Sequence, residues 1–204
     1  MTNEQHMIED NPIVDIATYL FLEDIADKQG AAGMMNYLMS LAYSLARSMP
    51  EEEYSTWEEF REALRRGESI LAAFEEVEPV SDHCIVTKEN PFLRGWMEYT
   101  KRIGEFPSIH REVAESYNSR ITPTAVDTHD VILQTYRKSA AERIRVAGKR
   151  IKVAHIATVS PDGTKKIAPE EWLPILLEKA RISRTQLNML LRNNSAVWVV
   201  YPEE

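Results

Sequence analysis

RIKVAHIATVSPDGTKKIAP, residues 150–169, breaks the helical rhythm that runs through most of the preceding chain. Its apolar residues recur every second position, so that Ile151, Val153, His155, Ala157 and Val159 fall on one face, and Pro161-Asp162-Gly163 supplies turn chemistry before a second short strand. The pattern predicts a β-hairpin. Downstream, SAVWVVYP (195–202) is a run with strong strand preference. Upstream, the Cys84–Thr87 segment reads as a strand that ends in the Asn90-Pro91 turn.

The rest of the chain carries the 3.6-residue period of helices. Asn11-Pro12 opens one, with Asn11 as N-cap and Ile13, Ile16, Ala17 and Leu20 on a common face up to Gly30. From Ala32 to Ser48 the residues Met34, Met35, Leu38, Met39, Leu41, Ala42 and Leu45 cover more than a narrow stripe, the pattern of a helix buried on most of its circumference. Thr56 and Glu59 fit a capping box ahead of Trp57, Phe60 and Leu64. Leu93–Ile103, Ile109–Tyr117 and Asp127–Arg145 are further helical stretches, and NSRITPT (118–124) is the one linker-like spot. The expected fold is therefore α+β and helix-rich, with a small antiparallel sheet made of the hairpin near 150–167 and strands near 84–87 and 196–201. The expected organisation is a helical, ligand-binding-like body over residues 1–145 and a basic hairpin, helix, helix and strand unit over 146–204, packed on the body.

Composition narrows the class. The chain has 204 residues, 44% of them hydrophobic, enough for a sizeable core. Its apolar runs are all interrupted well short of the roughly 18 to 20 residues of a membrane span, and the N-terminus has no basic segment followed by an apolar one. One cysteine, Cys84, forms no internal disulfide and no thiolate zinc cluster, so the expected location is cytoplasmic. The net charge of −8 is unevenly spread: residues 1–90 hold 6 Lys+Arg against 19 Asp+Glu, whereas residues 136–204 hold 13 against 7. Such polarity fits either a basic surface for an anionic partner or mutual attraction between two parts of one molecule.

Few constellations carry chemistry. His83 and Cys84 are adjacent, but successive strand side chains point to opposite faces, so they do not form a thiol–imidazole pair. Neither His110-Arg111-Glu112 nor Asp127-Thr128-His129-Asp130 holds a His-x-x-x-His or Glu-x-x-His pair, a helix would point Asp127 and Asp130 one way and His129 another, and Asp127 reads as a helix cap. With seven glycines and no phosphate loop, dinucleotide fingerprint or nucleophile elbow, familiar nucleotide chemistry is not expected. No cofactor and no metal are expected.

EKARISRTQLNMLLRNN (178–194) has the second half of a DNA-reading helix-turn-helix. Ser183 and Gln186 fit a capping box, Leu187, Leu190 and Leu191 face inward, and Arg184, Thr185, Asn188 and Arg192 are the candidate DNA contacts. The first half departs from the motif: Leu177 stands where a small residue is usual, Arg181 where glycine is usual, and Pro174 shortens the preceding helix to about two turns.

The order of features from about residue 22 to 103 resembles the hydrocarbon-binding domains related to 4-vinyl reductase and the ligand-sensing domains of aromatic-responsive regulators. The similar stretches are DKQGAAGMMNYLMSLAYSLA (27–46), STWEEF (55–60) and FEEVEPVSDHCIVTKENPFLRGW (74–96). Small-molecule hydrolases of the aminothiazoline-carboxylate type are similar around NPFLRGW but carry Cys where this chain has Asn90. Those sensor domains typically end in a cysteine-bearing strand pair that holds zinc, whereas the 150–167 hairpin here has no Cys. The resemblance implies a pocket for a small, largely apolar molecule, walled by Met35, Met39, Phe92, Trp96 and Tyr99, without metal or nucleophile. The leading expectation is a non-catalytic binding protein or sensor with no membrane partner, and with homodimer formation left open. The alternatives are a transcriptional regulator with a divergent C-terminal helix-turn-helix, and a small hydrolase.

Overall fold

A computed structural model describes residues 12–73, 75–89, 133–159 and 165–203. The sequence-predicted helices at 93–103 and 109–117, the 118–124 linker, the two His-carboxylate clusters and the Pro161–Gly163 turn lie outside the described residues. The chain divides into two compact units, Met1–Leu38 and Met39–Glu204. In the first, the described residues belong to helix α1 (Pro12–Ser48), which is two helical stretches joined at Gly30. There φ is 71° and ψ −179°, a conformation that only glycine adopts without strain.

The second unit holds the end of α1 and then β1 (Glu52–Tyr54), α2 (Trp57–Arg65), a 3₁₀ turn (Ile70–Ala72), β2 (Glu76–Pro79) and β3 (Cys84–Glu89). After the undescribed segment come α3 (133–141), β4 (Ile144–Val146), β5 (Lys149–Val159), β6 (Lys165–Ile167), α4 (Leu173–Ala180), α5 (Arg184–Leu190) and β7 (Ala196–Pro202). The fold is α+β, as the two periodicities predict. The sheet corrects the expectation of a small antiparallel one: it has seven described strands in the order β1-β4-β5-β7-β3-β2, with β6 also on β5, and β1 runs parallel to β4.

β5 and β7 form its spine, paired from Ile151↔Pro202 to Thr158↔Ala196. The predicted hairpin is present as β5 and β6, with Ala157↔Ile167 and Val159↔Lys165 in register. A bulge between His155 and Ala157 inserts one residue, Ile156, into the ladder. It overturns the strict alternation read from the sequence: Ile151 and Val153 pack in one core, whereas Ala157 and Val159 belong to the other. A second, unpredicted hairpin joins β4 to β5 through Ala147 (φ 51°) and Gly148 (φ 75°), the pair of positive φ angles that a two-residue reversal requires. The helix expected over 127–145 accordingly stops at residue 141, because Ile144–Val146 is drawn into pairing with both β1 and β5.

Helices cover both faces of the sheet. On one, α2, α3, the 3₁₀ turn and Ala42 and Ala46 of α1 pack on Ile85, Ile151, Trp198 and Val200; on the other, α4 and α5 pack on Cys84, Val86, Val197 and Val199. β7 is thus buried on both sides, which explains its unbroken apolar run. The stretch Met39–Ser48 departs from its predicted burial: only Ala42 and Ala46 are buried, and Leu41 and Leu45 are 52% and 38% exposed. The two alanines, four residues apart, form a narrow contact stripe, and the leucines lie beside it.

Candidate functional site

Two polar features stand out in the second unit, one buried and one open. The buried one centres on Arg137 of α3, whose side chain is 1% exposed. The stripe that α3 buries, Leu133, Tyr136, Ala140 and Ala141, also carries Arg137 inward, so the helix puts a guanidinium into the core. Its Nη2 donates to Glu75 Oε2 and, at 2.9 Å, to Thr87 Oγ1. Nη1 meets His155 Nε2, and the guanidinium carbon lies 4.6 Å from the centroid of the Trp198 ring. Trp198 Nε1 in turn donates to Thr87 Oγ1 at 3.2 Å. β3, β5 and β7 each contribute one group because Thr87, His155 and Trp198 all face the α3 side of the sheet.

Burial draws the Arg137 pKa down to about 9, which leaves the group cationic at neutral pH. The His155 pKa lies well below its ordinary value, first through burial and then through the charges of Arg137 and Lys138. With Nε2 accepting from Arg137, the His155 proton sits on Nδ1, which is buried and without a partner among the described residues, as is Arg137 Nε. The Arg137–Glu75 pair is closed off from solvent, so the cluster holds core elements together and offers no substrate a way in.

The open feature is a cleft of about 520 Å³ between α3 and the paired ends of β5 and β7. Its floor includes Ile151 and Val153, Tyr201 borders it while its ring packs on the other face of the sheet, and its walls carry five cations, Arg47, Lys138, Arg143, Arg150 and Lys152, against three carboxylates, Glu51, Glu142 and Glu203. Some of this charge is already committed. Lys152 Nζ lies 3.1 Å from Glu203, Arg143 Nε donates to the Met49 carbonyl at 2.7 Å, and Arg47 donates to the Tyr43 hydroxyl. Among the described residues Lys138 and Arg150 have no ion-pair partner, and both side chains are exposed.

Of the apolar wall predicted from the resemblance, Met39 is half-buried on α1, and Phe92, Trp96, Tyr99 and the side chain of Met35 lie outside the described residues. The four candidate DNA contacts are all described and all exposed: Arg184, Thr185 and Asn188 on α5 and Arg192 just after it. Arg184 is held by an ion pair to Glu170. Cys84 and His83 diverge as a strand requires. Cys84 is fully buried, with a thiol pKa pushed up to about 11 by burial, and so makes a poor nucleophile. His83 stacks edge-on against Trp57, its Nδ1 3.0 Å from the Val200 carbonyl.

Among the described residues no group of three or more His, Cys, Asp or Glu is placed to hold a metal ion, and no helix is long and apolar enough to cross a membrane. No signal in the sequence marked the cleft beyond the change in charge balance near residue 136, since its lining comes from four separate segments. In comparisons with family models, curated proteins and solved structures, nothing matches this chain.

Proposed function

We propose that this chain is a non-catalytic binding protein for a small amphipathic anion, such as a carboxylate on an aliphatic or aromatic body. The observation that carries the reading is the cleft itself, where Lys138 and Arg150, which have no ion-pair partner among the described residues, stand around a floor of Ile151 and Val153. A charged group in that position gains attraction from the cation excess, while its apolar body is removed from water against the floor. The reading keeps the small-ligand pocket implied by the resemblance to hydrocarbon-binding domains and changes the ligand's chemistry, because the described cavity is ringed by charge.

A thermal-shift panel tests it. Benzoate, hexanoate and inorganic phosphate are compared with the uncharged benzamide and hexanol, on the parent chain and on Lys138→Ala/Arg150→Ala. Binding to the native state at a hundredfold excess over Kd stabilises it by about 2.7 kcal/mol. The expected result is an upward shift with the organic carboxylates, smaller with phosphate, and absent in the double variant. Equal shifts with benzamide, or shifts that persist in the double variant, would remove the proposal.

A further inference from the structure

We infer that α4, the turn at residues 181–183 and α5 form a docking surface for duplex DNA, on the face of the sheet opposite α3 and independent of the cleft. The turn supports this where the sequence did not. Arg181 adopts the left-handed conformation, φ 56° and ψ 41°, that a glycine would otherwise supply. Its N–H donates to the Leu177 and Glu178 carbonyls, and the Ile182 N–H donates to Leu177 at 3.1 Å, which closes α4. Ser183 and Gln186 then cap α5 reciprocally. Two helices joined by three residues have the connection used by helix pairs that read a major groove.

The pair is anchored from behind. Ala180, Leu187 and Leu191 are buried against the sheet, which fixes how α5 is rotated. Helical spacing places Thr185 and Met189 opposite Leu187 and Asn188 on the flank, Arg192 follows the helix end, and all four are exposed, Met189 by 60%. These groups suit base edges: an amide for adenine, a guanidinium for guanine or phosphate, and methyl-bearing chains for thymine. The outward face of α5 has no aromatic ring, the group on which single-strand binders stack bases. The segment from β6 through Arg192 carries Lys165, Lys166, Lys179, Arg181, Arg184 and Arg192 against Glu170, Glu171 and Glu178, a local +3 in a chain of net −8. Arg184, tied to Glu170, serves as a flank rather than a base reader.

Fluorescence anisotropy with the full chain and a mixed-sequence duplex of about 30 base pairs, at about 50 and 200 mM salt, tests the surface. The variants are Arg181→Gly, which suits the left-handed turn while removing a charge, and Asn188→Ala/Arg192→Ala, with melting curves to verify folding. Binding is expected at low salt and should weaken steeply at high salt. Arg181→Gly should make the salt slope shallower by about 1, and the double variant should bind about tenfold more weakly. Absence of binding at low salt, affinity unchanged in both folded variants, or equal affinity for the single-stranded oligomer would each overturn the inference.

Discussion

Replacing Arg137 with Met should destabilise the fold by about 3 to 5 kcal/mol, the usual cost of removing one partner of a buried ion pair. The size follows from what is left behind. Glu75, whose side chain is 3% exposed, loses the guanidinium and among the described residues keeps the Thr87 hydroxyl at 3.4 Å, while His155 Nε2 loses its donor. Against a total stability of about 5 to 15 kcal/mol this is a large fraction, and for a chain of this length it corresponds to a Tm lower by roughly 6 to 20 °C. Glu75→Leu alone should cost a similar amount, because it leaves the guanidinium buried with only neutral partners. The double variant Arg137→Met/Glu75→Leu should recover at least about 2 kcal/mol relative to the sum, since Thr87 keeps the Trp198 N–H as a donor and no charge stays unpaired. Urea unfolding followed by far-UV circular dichroism gives all four corners of the cycle. A loss below about 1 kcal/mol for Arg137→Met, or strictly additive losses, would show that the pair is not the buried, mutually dependent unit described above.

Two further outcomes follow from backbone and protonation. Arg181→Gly should raise stability by about 1 kcal/mol, since a non-glycine residue at positive φ carries a strain of roughly that size; an unchanged or lower urea midpoint would contradict the left-handed turn. His155 and His83 both have lowered pKa values in the folded chain, chiefly through burial, whereas unfolded histidine titrates near 6.5. As pH falls below about 6.5 the unfolded state therefore binds more protons than the native one, and stability declines, by at most about 1.4 kcal/mol per pH unit for His155. Urea midpoints near pH 7.5 and pH 5.5 measure this decline, and His155→Gln should flatten it; identical declines in parent and variant would refute the assignment to His155.

The sequence was most legible where one local pattern dominates. The β5–β6 hairpin, the strand at 196–202, the break at Gly30 and the reciprocal cap of Ser183 and Gln186 all follow from period, turn chemistry or cap residues within a short window. At Thr56 the local rule holds in part: Thr56 Oγ1 accepts from the Glu59 N–H, but the Glu59 carboxylate reaches the Ser55 N–H, one residue early. What was missed is non-local. β1, β2 and β4 are three or four residues long, too short to display a period of 2, and β1 gains strand character only from parallel pairing with β4, some ninety residues away. Neither Arg137 nor Glu75 is singled out by any local pattern, although Arg137 lies on the apolar stripe of Leu133, Tyr136, Ala140 and Ala141. A cation on such a stripe was the one available sign of a buried partner.

The cleft and the α4–α5 pair meet at β7, and that geometry determines which substitutions are informative. Val197 and Val199 hold the helix pair, Trp198 and Val200 fill the α3 side, and Tyr201 borders the cleft although its ring packs on the helix-pair side, 4.3 Å from the Lys179 ammonium of α4. A change within β7 therefore disturbs both faces together and separates nothing. Lys138 and Arg150 sit on α3 and β5 and line the cleft with exposed side chains, whereas Asn188 and Arg192 are exposed on and just after α5 and do not line it. Neither pair contributes to a core cluster, so each can be removed while the packing of the other face stays intact. Loss of anion binding with duplex binding preserved, or the reverse, then reports on one surface at a time.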